Sequence, residues 1–98
     1  MDNLKISDAT LRKLRKKHQV SRREVEQCFE NRVGRLLEDT RVTHKTTPPS
    51  LWFLAKTNPG RLLEVVYIQI DATVELKSAF EPIQVERDIY ARAGGVQY

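Results

Sequence analysis

The chain predicts an α+β domain of order ααββββα, with a four-stranded antiparallel sheet, an N-terminal helical hairpin and a C-terminal helix packed mainly on one face of the sheet. Three observations predict it. Residues 62–70, LLEVVYIQI, are apolar at odd and even positions alike, as a strand buried on both faces and central in a sheet must be. Residues 73–80, TVELKSAF, follow after the pair Asp71-Ala72 and alternate, so the two runs read as a tight antiparallel hairpin. Helical spacing and capping signals are confined to residues 6–31 and 81–94.

Taken in order, Ser7 is the expected N-cap of a first helix that runs to about His18, with Ile6 placed to pack on Leu11. Leu11, Leu14 and His18 share one narrow side of it, and Arg12, Lys13, Arg15, Lys16 and Lys17 wrap the rest. That cationic face is either merely solvated or a surface for an anionic partner. Ser21 and Glu24 form a capping box, and Val25, Cys28 and Phe29 make the apolar stripe of a short second helix. Cys28 on that stripe reads as a small buried residue rather than a nucleophile. Residues 35–42 alternate but are polar, which suits an edge strand with a charged face. Pro48-Pro49 stiffens a loop, residues 51–57 resume as a strand, and Asn58-Pro59-Gly60 turns the chain into the central strand. Pro82 at the first helical position and Gly94 after the last turn bound the closing helix, and residues 94–98 are expected to form a flexible tail beyond a single domain at 1–93.

Composition narrows the function. The first fifty residues carry twelve Lys and Arg against seven Asp and Glu, while the remainder carry five against six, so the net charge of +4 belongs to the first half. An anionic partner, nucleic acid or an acidic protein, suits that asymmetry. At 98 residues no large catalytic architecture fits. A lone cysteine, no signal-peptide pattern and no apolar run of membrane-spanning length lead to the expectation of a cytoplasmic protein. The two histidines and Cys28 lack metal-ligand spacing, and no glycine-rich phosphate loop is present, so neither a metal nor another cofactor is expected.

Several short motifs, in their order and spacing, carry a resemblance. They are Lys17, His18, Val20 and Ser21; Glu38, Asp39 and His44; the run from Gly60 to Tyr67; Ser78-Ala79; and Glu86, Arg87 and Tyr90. The chain resembles the BrnT toxins of the RelE/ParE-like toxin–antitoxin superfamily over residues 6–90. The resemblance implies a compact bacterial ribonuclease that cuts RNA without metal and is held inactive by an antitoxin protein. Where those sequences carry Arg-Arg after Ser-Ala, this chain has Phe80-Glu81, replacing positive charge near a scissile phosphate by a carboxylate.

Metal-independent RNA cleavage needs one group to deprotonate the 2′-hydroxyl, one to protonate the leaving oxygen, and cations on the phosphate. His44, Glu81 and Asp39 are the candidates for proton transfer. Lys17, Arg35, Arg41 and Lys45 are the candidates for phosphate contacts, with Trp52 able to stack a base. His18 is read as structural, its charged form meeting a helix C-terminus. The alternative to a toxin-type ribonuclease is a non-catalytic basic module on the same fold that binds RNA or an acidic protein. RNA and an antitoxin are the expected partners, a homodimer is left open, and neither a membrane nor a small-molecule cofactor is expected.

Overall fold

The computed structural model describes residues 1–40 and 47–98. It is α+β, but the sheet has five strands in the order β1-β5-β4-β3-β2, which corrects the four-stranded antiparallel expectation. The added strand is β1 (Leu4–Lys5), which lies parallel to β5 (Thr73–Phe80) with Leu4 opposite Val74 and Lys5 opposite Glu75. Two residues show no alternation, so nothing in their pattern announces a strand. Burial of Leu4 and the bond from the Val74 N–H to the Asn3 carbonyl hold it in place.

Within the described part of the expected strand at 35–42, only β2 (Leu37–Glu38) joins the sheet, antiparallel to β3 (Ser50–Lys56), and residues 41–42 lie outside the described residues. β4 (Leu62–Ile70) lies between β3 and β5, antiparallel to both. Leu63, Val65 and Tyr67 are buried on one of its faces, and Glu64 and Ile68 on the other. The β4–β5 turn is the pair Asp71-Ala72, with Asp71 in the left-handed region at φ 52°.

β5 does not alternate cleanly. Val66 stands opposite Ser78 and Tyr67 opposite Leu76, so Lys77 is an extra residue, a bulge. The bulge exchanges the two faces of the strand halfway along. Val74, Leu76 and Ala79 are buried, while Ser78 and Phe80, expected beside Val74 and Leu76, are only partly buried.

The helices do not share a face, which corrects a second expectation. α1 (Asp8–Lys13) is capped by the Ser7 hydroxyl and continues into a π-helical turn at Leu14–His18 that ends on Gln19 in the left-handed region. α2 (Arg22–Asn31) begins with the expected capping box of Ser21 and Glu24. Phe29 of α2 meets Phe53 and Tyr67 edge-on at 5.1 and 5.2 Å, and the Cys28 thiol donates to the Ala55 carbonyl at 3.7 Å. α3 (Gln84–Ile89) instead lies on the side of Trp52, Glu64 and Val66, the alternate positions of β3 and β4.

α3 runs into a second π-helical turn, Tyr90–Gly94, and Tyr90 fastens this end of the chain to the sheet. Its ring is fully buried and lies 5.7 Å from Trp52. Its hydroxyl donates to the Arg35 carbonyl at 2.7 Å. β3 bonds outward to β2 through Ser50 and Trp52, so the Leu54 amide is the next one along that edge, where the Tyr90 ring packs beside Trp52. A Cβ at Gly34 or Gly94 would collide with the ring, so both positions require glycine. The segment expected to be a loose tail ends with Val96 and Tyr98 against the core, and the Tyr98 ring stacks on Tyr90.

Candidate functional site

Two surfaces of opposite character stand out. The first is the outer side of α1 and its π-helical turn. Arg12, Lys13, Arg15, Lys16 and Lys17 are all exposed, and none forms an ion pair with a described residue. Leu14, 1% exposed, ties this helix to the core. His18 is partly buried, its ring 5.6 Å from Phe80, and its pKa is lowered by burial first and then by Lys17 and Lys13. Burial and the neighbouring lysines outweigh the helix dipole that was expected to favour the charged ring.

The second surface is a crevice of about 680 Å³ between α3 and the sheet. Leu37, Trp52, Val66 and Phe80 form the sheet wall, and Ile83, Val85, Ile89 and Ala93 the helix wall. Glu38, Asp39, Glu64 and Glu86 supply its charge, and no cation lines it among the described residues. Glu64 is 2% exposed and is the one charged residue in the apolar run of β4, a signal that sequence reading passed over.

At the far end of the sheet, Arg61 joins four elements. Its guanidinium donates to the carbonyls of Gln19 at 2.8 Å and His18 at 3.0 Å, to Glu24 Oε2 at 3.1 Å, and lies 3.7 Å from Glu81 Oε2. It therefore caps the end of the first helix and braces the capping box of the second. Burial tends to raise the Glu24 pKa, but the Ser21 N–H and then Arg61 overcome it and hold the carboxyl below its ordinary value. The motif around Lys17 and His18 and the Gly60-Arg61 pair thus meet in space, and their meeting is structural: it closes the helical hairpin onto the β3–β4 turn.

The residues singled out from sequence fall in three places. Asp39 and Trp52 share the crevice, Asp39 near its buried limit at 9% exposure and Trp52 half-buried against Tyr90. Glu81, exposed, belongs to the Arg61 corner, whereas Lys17 lies on the exposed side of the first π-helical turn. Arg35 lies at the end of the second π-helical turn, its guanidinium 3.4 Å from the Ala93 carbonyl. Arg41, His44 and Lys45 lie outside the described residues.

Asp39 and Glu81 are not brought together. Asp39 pairs at the Ser50 end of β3, whereas Glu81 follows Phe80, which faces Glu64 and, through it, Leu54. The register sets Asp39 and Phe80 ~13 Å apart along the strands and ~14 Å across them, with Glu81 one residue further on, beyond the span of one phosphate. Cys28 is buried, its thiol pushed up to about 12 chiefly by burial and then by Glu24, which leaves it without nucleophilic character. Among the described residues no cluster of three or more His, Cys, Asp or Glu is placed to hold a metal ion, and no helix is long and apolar enough to cross a membrane. Comparison with protein-family models, with curated proteins and with solved structures finds no match to this chain.

Proposed function

We propose that the protein is a basic binding module that grips RNA through the exposed side of α1 and its π-helical turn. One observation carries this reading: five cations within residues 12–17 face solvent with no carboxylate among them and no ion pair to a described residue. Phosphate oxygens would replace the counterions such a surface condenses, so affinity must fall steeply with salt. The separation of Asp39 from Glu81 favours binding without cleavage.

The test is anisotropy of a labelled single-stranded RNA titrated at several salt concentrations. If all five cations engage, log K falls with log salt at a slope of about −3.5, roughly a hundredfold between about 50 and 200 mM. Lys13→Glu/Lys16→Glu weakens binding at least about tenfold while leaving the melting temperature unchanged, because both side chains are exposed. A salt-independent affinity, or no affinity, overturns the reading. Tight binding of a polyglutamate chain but not of RNA reassigns the surface to an acidic protein.

A second reading, the toxin-type ribonuclease under antitoxin control that the BrnT resemblance implies, draws support from one local arrangement. At the Arg61 corner the Glu81 carboxylate lies 3.7 Å from a guanidinium that also holds the His18 carbonyl, which places an acid and a cation at the end of the basic helix. This reading expects RNA to be cut in EDTA and His44→Ala or Glu81→Gln to abolish the cutting. Intact RNA after prolonged incubation at micromolar protein removes it.

A further inference from the structure

We propose that the crevice between α3 and the sheet is a docking site for a short amphipathic segment of a second protein, with apolar anchors along one side and Lys or Arg at its flanks. The proposal does not rest on the RNA reading, since no residue of α1 lines the crevice.

Two apolar walls face one another here without closing. Ile83, Val85 and Ile89 on the helix wall are 64%, 58% and 38% exposed, although the sheet opposite offers Trp52, Val66 and Phe80. Removing apolar surface from water is favourable, so walls free to collapse would do so. They are held apart from both ends. Tyr90 is pinned by Trp52, by its hydroxyl bond to the Arg35 carbonyl and by the close approach of Gly34 and Gly94. At the other end the Lys77 bulge aims Phe80 to this side of the sheet. The opening is therefore built by the fold.

Charge selects the occupant. On a chain with a net charge of +4, the described residues that line the crevice carry carboxylates and no cation. Glu38 is exposed and Glu86 half-buried, both within reach of a segment lying between the walls. An apolar groove edged by carboxylates suits a helix that presents apolar side chains at i, i+3, i+4 and i+7 with cations beside them. RNA, which would bring phosphate to these carboxylates, is disfavoured there.

The single tryptophan of the chain, Trp52, stands in the crevice wall and reports on it directly. Intact protein is titrated with a synthetic peptide that has Leu at i, i+3, i+4 and i+7 and Lys at its flanks, while Trp52 emission is followed. Controls are the same peptide scrambled and the same peptide with Glu for Lys. A saturable blue shift is expected, with affinity at least about tenfold weaker for each control. Val85→Asp abolishes the shift and Glu38→Lys/Glu86→Gln weakens it about tenfold, with melting temperatures confirming that each variant folds. The RNA of the preceding test leaves Trp52 emission unchanged, so the two readings fail independently. No shift with the Lys peptide, or equal shifts with the scrambled one, overturns the proposal. A dimer in sedimentation that Val85→Asp dissociates and the peptide does not displace also overturns it and assigns the crevice to a second copy of this chain.

Discussion

Tyr90 shows how one side chain serves both packing and hydrogen bonding. Its phenol donates to the Arg35 carbonyl, while its ring fills a space that two glycines keep open. Tyr90→Phe keeps the ring and removes the bond, leaving the Arg35 carbonyl without its donor, and should cost about 1 kcal/mol. Gly34→Ala keeps both bonding groups but drives a methyl into the ring, and should cost more than Tyr90→Phe. Thermal melts separate them, since 1 kcal/mol moves the midpoint of a domain this size by roughly 4–8 °C. Glu24 gives a prediction in pH. Its folded pKa lies below the ordinary 4.5, so the stability it contributes is complete above that value and is lost as pH falls through the folded one. In urea titrations the advantage of wild type over Glu24→Gln should therefore shrink between about pH 6 and about pH 3. An advantage that grows on acidification would refute the assignment.

Among the elements, the β4–β5 hairpin and the capping box at Ser21 were legible because each is announced by residues adjacent in sequence. The two-residue β1 and the Lys77 bulge were not. A strand that short has no period, and the bulge lies inside a stretch whose letters alternate well enough to hide it. Placement of α3 opposite α2 was equally hidden, because an amphipathic stripe tells that a helix packs and not on which face. Arg61 is the clearest case of a residue whose work depends on elements far apart in sequence. It donates to His18 and Gln19, more than forty positions earlier, and fastens the end of the first helix to the β3–β4 turn. Arg61→Met retains the aliphatic stem and leaves two carbonyls and Glu24 Oε2 without the guanidinium, while Ser21 still bonds Oε1. We expect a loss of about 2 kcal/mol, with increased hydrogen exchange in residues 14–20 and little change in β4. Uniform loss of protection across the sheet would show that Arg61 does not act locally.

At the scale of the whole molecule, charge and apolar surface are segregated. The cations of α1 form one outward face, and the described lining of the crevice is apolar and acidic. Sequence reading found the cationic helix, since a run of like charges at 12–17 is visible without a fold. It did not find the crevice, whose walls come from residues 37 to 93 and whose charge rests on single carboxylates scattered among apolar neighbours. Nor could it foresee that Asp39 and Glu81 stand at opposite corners, because strand order and register decide that distance.

The Tyr90 ring beside the outer edge of β3 also acts as a guard. A sheet margin with vacant amide groups invites strands from other molecules. Proteolysis after Ile89 would strip away Tyr90 and Tyr98 together, leaving the Leu54 amide bare beside the apolar Phe53 and Ala55. A chain clipped there should turn adhesive and gain thioflavin binding over hours, while the intact chain at equal concentration stays clear.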